Sequence, residues 1–176
     1  MKRIITIAIV ILVIGAVAFL AAIADRGGTV KFCSYSMELP ENMKYCSDPN
    51  NCELVAGEPK SIFFFPLYPW GVGMLKSVLV EARLVGKSST DEQEIDEFTN
   101  TFDNPQKTSS EQITVNGMKF LKVSLLGNGA RQAGMLLIGS PEDSPLEGSR
   151  LIVGLGPIES TQLAKLEAIQ NSIKKQ

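Results

Sequence analysis

Apolar and polar residues alternate with a period of two along much of this chain, and the exceptions mark where its character changes. In KSVLVEARLV, Lys76 to Val85, the residues Val78, Val80, Ala82 and Leu84 fall on one face. Ser77, Glu81 and Arg83 fall on the other, the pattern of a strand with one buried face. SYSMELP predicts a strand ended by Pro40, and SIFFF, Ser61 to Phe65, one stopped by Pro66. In EQITVNGMKFLKVSLLG, Asn116-Gly117 separates two alternating runs, the strongest short hairpin signal a sequence carries. GNGA, Gly127 to Ala130, predicts a second turn into a strand through AGMLLIG; the polar loop PEDSPLEG then leads to a strand in SRLIVGLG. Met135 to Ile138 and Leu151 to Val153 are apolar at every position, which places them centrally in a sheet covered on both faces.

Two stretches change to the helical period. TDEQEIDEFTNTF opens on Thr90 with Gln93 three residues later, a capping box; Ile95, Phe98 and Phe102 form its apolar stripe, and Asn104-Pro105 ends it. The last helix is predicted from Glu159 to about Lys174, with Leu163, Leu166, Ile169 and Ile173 inward and Lys174-Lys175 suiting its negative end. Runs of strands punctuated by two helices give an α+β domain, an antiparallel sheet with helices packed on its faces.

The N-terminus has no period at all. Ile4 to Ala24 is uncharged and follows Lys2-Arg3. As a helix it is about 30 Å long, the thickness of a bilayer core, and the positive pair holds its N-terminal end in the cytoplasm. The expected organisation is a transmembrane anchor at 1–26, a 27–33 link that includes Gly27-Gly28, and an extracytoplasmic domain at 34–176. The rival is a cleaved signal peptide, with AIA ending at Ala24 as the cleavage site and a secreted or periplasmic product. Both readings export the rest of the chain.

Export changes how the composition is read. Beyond Arg26 there are 14 basic and 18 acidic residues without a Lys/Arg cluster, a poor match to nucleic acid. The chain has no His, which removes imidazole bases, His-dependent triads and His metal ligands. Its three cysteines are too few for a four-ligand zinc site, and Cys46 and Cys52 are not spaced as C-x-x-C. In an oxidising compartment a disulfide is the expected use. SDPNN is good turn material, so Cys46–Cys52 is the expected pair; Cys33 pairing with one of the two is the remaining option. No cofactor or metal is implied.

The order of these elements resembles the Mog/PsbP-like superfamily over about residues 34–174. The likeness rests on the YSMELPENMK strand, the acidic helix, the ITVNGMKFLKV hairpin, two further strands and the LEAIQNSIK helix. It implies an antiparallel sheet sandwiched by helices and a binding or assembly module rather than an enzyme, exported in many members. It offers no catalytic motif to carry over, and neither the cysteine clasp nor FPLYPWGVG maps onto it.

Three stretches invite a chemical reading. TDEQEIDE gathers five carboxylates, but acidic residues in a first turn are what the helix dipole favours. GLGPIES lacks the third glycine of a phosphate loop and is expected to be a Gly-Pro turn with a cap. In FFFPLYPWGVGM, Pro66 and Pro69 force Tyr68 and Trp70 into a loop, where they either fold back as a lid or serve as partner contacts. The function expected is a non-enzymatic binding or assembly module of the cell envelope. It is anchored by Ile4–Ala24 in the bilayer of a bacterial cytoplasmic membrane, and Tyr68 and Trp70 meet an envelope protein. The alternative is an extracytoplasmic hydrolase using a Ser or a carboxylate.

Overall fold

A strand that is apolar on both faces needs two covers, and the arrangement of the chain follows from supplying them. The structure is a computed structural model and describes residues 25–48, 51–57, 78–86 and 88–176. The expected span Ile4–Ala24, the SIFFF strand, Tyr68 and Trp70 lie outside the described residues. The strands are β1 (Asp25–Phe32), β2 (Tyr35–Asp48), β3 (Glu53–Gly57), β4 (Val78–Gly86), β5 (Gln106–Val115), β6 (Met118–Gly127), β7 (Gln132–Gly139), β8 (Ser149–Glu159) and β9 (Lys174–Lys175). Among the described residues the α-helices are α1 (Asp91–Thr99) and α2 (Leu163–Ser172). Among the described residues all strand pairs are antiparallel, in the order β1-β2-β3-β4-β8-β7-β6-β5, with β9 beside β2. The domain is therefore α+β, as its sequence predicts.

The two cores sit on opposite faces of the sheet. Met135 and Leu137 of β7, with Leu151, Val153 and Leu155 of β8, join the larger core beneath Leu166, Ile169 and Ile173 at the C-terminal helix. Leu136, Ile138 and Ile152 point the other way, to a smaller core under Ile95, Phe98 and Phe102. Room for the two phenyl rings comes from glycine. A Cβ at Gly154 would lie 3.1 Å from the Phe98 ring. One at Gly134 would lie 2.8 Å from the Leu155 carbonyl and collide with the Phe102 ring as well.

Local signals account for most element ends. The capping box is present: the Gln93 amide donates to Thr90 Oγ1 (3.3 Å) and the Thr90 amide to Gln93 Oε1 (2.9 Å). The Asn116-Gly117 turn joins β5 to β6 with both residues at positive φ, 48° and 84°. Several bounds differ from expectation. Helix α1 stops at Thr99, well before Asn104-Pro105, because Thr101 Oγ1 donates to the Phe98 carbonyl (2.7 Å) and the chain turns Phe102 down onto the sheet. GLGPIE is strand rather than a capped turn: Ile158 and Glu159 pair with Ala133 and Gln132, so helix α2 begins only at Leu163. Lys174-Lys175 do not end a helix; they pair with Ser36 and Tyr35.

The N-terminal part departs most. Residues expected to form a flexible link are strand β1, and Pro40 does not end its strand. Instead the β1–β2 register jumps, from Arg26 opposite Lys44 to Gly28 opposite Leu39, so residues 40–43 interrupt the ladder. A straight strand of this length would separate the β1–β2 turn from the β2–β3 turn by about 45 Å. The chain bends enough that Cys33, in the first turn, and Cys52, in the second, have Cα atoms 5.5 Å apart and form a disulfide.

This corrects the expected Cys46–Cys52 clasp. Cys46 sits opposite Val55, two residues before the Asp48–Glu53 pair, while Cys52 lies beyond that pair. Those residues alone put roughly 7 Å of strand between them, at the limit a disulfide can bridge. Cys46 is exposed and takes no part in the bond.

Peptide mapping of unreduced protein should therefore recover Cys33 linked to Cys52. Cys33→Ser and Cys52→Ser should each lower stability by roughly 3 kcal/mol, and Cys46→Ser by less than about 0.5 kcal/mol, in denaturant unfolding of oxidised protein. Gly134→Ala should cost about 1–3 kcal/mol, since its methyl group has no room between a phenyl ring and a backbone carbonyl; an unchanged midpoint would contradict the packing.

Candidate functional site

The alternation of β4 that buries Val80 and Ala82 turns Glu81 and Arg83 toward α1. On α1, Glu94 and Glu97 are three residues apart and so share one face. The three carboxylates converge on one guanidinium. Arg83 Nη2 lies 2.9 Å from Glu94 and 2.5 Å from Glu97, and its Nη1 lies 3.9 Å from Glu81. The Glu94 side chain is only 5% exposed, and it also accepts a short hydrogen bond from the Ser89 hydroxyl. Burial by itself would lower the Arg83 pKa; the hydrogen bonds and charges of Glu97 and Glu94 outweigh it, so the guanidinium is held protonated more firmly than usual. A second arginine fixes the start of the helix: Arg150 of β8 pairs with Asp91 and donates to the Ser89 carbonyl (2.7 Å).

Around this cluster is a depression of about 90 Å³, with Thr101, Phe98 and Gly154 beside the charged groups. Pockets that enclose a small-molecule substrate run to roughly 300–1,000 Å³. The chemistry inside it is also self-contained. The carboxylates are engaged by Arg83, Ser89 is engaged by Glu94, and among the described residues no lysine lines the wall to activate a serine. Among the described residues no group of three acidic or thiol side chains is placed to hold a metal ion. The arrangement docks an acidic helix on a sheet.

The acidic helix was visible in the sequence, but its partner was not. The one available signal was Arg83 itself, a cation on the polar face of an otherwise apolar strand, shortly before an acidic helix. The expected contact residues Tyr68 and Trp70 lie outside the described residues, as does the expected membrane span. No helix among the described residues is long and apolar enough to cross a membrane.

Arg83→Met should destabilise by roughly 2–3 kcal/mol, because it leaves Glu94 buried without its counter-ion; partial exposure of Arg83 keeps the loss below that of a fully enclosed pair. Adding Glu94→Gln to that variant should recover part of the loss. Equal losses from the single and double variants in chemical denaturation would show that the cluster does not dock α1.

No family model matches the chain, and no curated protein does. Among solved structures, the solution structure of cyanobacterial PsbP (CyanoP) from Synechocystis sp. PCC 6803 matches with a TM-score of 0.49 at 7% identity, over 86% of this chain and 95% of that one. A crystal structure from Bacteroides thetaiotaomicron VPI-5482 matches with a TM-score of 0.40 at 12% identity, over 86% of this chain and 49% of that one. The first of these is a PsbP structure, the name carried by the superfamily that the order of elements resembles.

Proposed function

We propose that this chain is a membrane-anchored, extracytoplasmic binding or assembly module without catalytic activity. The observation that carries the reading is the closed chemistry between α1 and the sheet. Its charged groups satisfy one another around a depression too small for a substrate, which leaves the outer surface and the loops to do the work. The Cys33–Cys52 disulfide supports the compartment, since such bonds persist in oxidising surroundings. The anchor is Ile4–Ala24, with the N-terminus in the cytoplasm and the domain outside. Tyr68 and Trp70 are the proposed contacts with an envelope protein: two prolines keep them out of a regular strand, and aromatic side chains are effective anchors at interfaces.

Two experiments test the parts separately. In cell fractionation the chain should stay in the membrane pellet through an alkaline wash, and a reporter fused after Gln176 that works only outside the cytoplasm should be active. A silent reporter rejects the topology. For the contact surface, a photo-crosslinking residue at position 70 should trap one defined envelope protein in intact cells. Trp70→Ala should weaken that association while leaving stability within about 0.5 kcal/mol. A stability loss of roughly 3–5 kcal/mol, with the association intact, would make Trp70 a core residue and reject the contact role.

A further inference from the structure

The chain contains two Asn-Gly pairs, Asn116-Gly117 and Asn128-Gly129, and the fold treats them differently. Both asparagines are exposed, both lie in turns between strands, and both have the same φ of 48°. A Cβ added at either glycine would meet nothing within 4 Å, so both glycines border open space. The difference is the side-chain amide. Asn116 Nδ2 donates to the carbonyls of Asn171 (2.9 Å) and Ile173 (2.8 Å), at the end of α2. Those carbonyls are among the ones a helix leaves without internal partners, so Asn116 caps the helix from the β5–β6 turn. Among the described residues, the side-chain amide of Asn128 is in no hydrogen bond.

We propose that Asn128 is a site of spontaneous deamidation in the folded protein, and that Asn116 is shielded from the same reaction by its grip on α2. The Gly129 amide nitrogen, after losing its proton, attacks the side-chain carbonyl carbon of Asn128. A carbon–nitrogen bond forms, the bond to the side-chain nitrogen breaks, and that nitrogen leaves as ammonia after taking up a proton. Water then opens the cyclic imide at either carbonyl, giving aspartate or isoaspartate; no oxidant or other reactant is required. At Asn116 the departing nitrogen is held by two acceptors, and closing the ring means first giving up both bonds.

The consequences differ as well. A carboxylate at position 128 adds a charge to an exposed turn. At position 116 it replaces two donors with acceptors, facing two carbonyls at the negative end of a helix. That substitution would loosen the last turn of α2 together with β9, whose neighbour Gln176 donates its amide to the Ser34 carbonyl (2.8 Å). The first site records age with the fold intact; the second, once modified, would not re-form the cap.

The test is peptide mapping of the purified full chain held at mildly alkaline pH, natively and in denaturant. Natively, Asn128 should convert several-fold faster than Asn116; in denaturant the two should converge, because both precede glycine. Equal native rates, a faster Asn116, no native conversion at Asn128, or an Asn128 excess that survives denaturant would each overturn the proposal. As a second measurement, Asn116→Asp should lower the melting temperature by roughly 4 °C and Asn128→Asp by no more than about 1 °C. Equal melting temperatures would remove the cap from the account. If Asn116→Asp does not fold, the rates on the natural chain still decide.

Discussion

Everything in this domain depends on the need to cover β7 and β8 twice. Four consecutive apolar residues, Met135 to Ile138, are each no more than 3% exposed, and they point alternately to opposite sides of the sheet. One helix cannot shield both directions. The chain supplies α2 for one face and α1 for the other, and a burial of roughly 2 kcal/mol per large apolar side chain holds each in place. The two covers differ in character. Helix α2 and the residue after it contribute Leu166, Ile169 and Ile173, all 1% exposed or less, and its end is held by Asn116 and β9. Helix α1 is more polar and contributes the half-buried Ile95 and Phe98; the buried Phe102 follows it, and arginines of β4 and β8 carry the rest of the attachment.

What the sequence disclosed and what it concealed divide along the range of the interaction. Local chemistry was legible. The Thr90–Gln93 cap, the Asn116-Gly117 hairpin, the two-sided strands and the inward stripe of α2 all depend on residues close in sequence, and all are present. Features that depend on distant pairing were not. Pro40 reads as the end of a strand, yet β2 continues past it because residues beyond the interruption find partners on β1 and β3. Spacing favoured Cys46 for the disulfide, but which sulfur Cys52 meets depends on how far β2 bends, and nothing near Cys33 announces that bend. The C-terminal lysines suited a helix end and found a strand edge.

The same division explains the candidate site. Five carboxylates in TDEQEIDE could be counted, but their role depended on the cations across from them. Arg83 and Arg150 belong to neighbouring strands in the sheet although they are far apart in sequence, and together they tie α1 down along its length. Charge that sequence inspection offers to catalysis is thus used for docking. A domain whose sheet is covered on both faces at its centre leaves its rim and its loops for the contacts proposed above. The proposed anchor and contact loop fit that economy of surface.

Backbone amide exchange measures the central constraint directly. If both faces of the sheet are covered, the amides of Leu136 to Ile138 and Ile152 to Val153 should exchange most slowly. Amides in the interior of α1 and of α2 should both be slowed by at least about tenfold relative to an unstructured peptide, since undocking either helix would expose a core. Protection of the sheet and α2 with α1 exchanging at the rate of a free peptide would contradict the account, because the second face would then stand open.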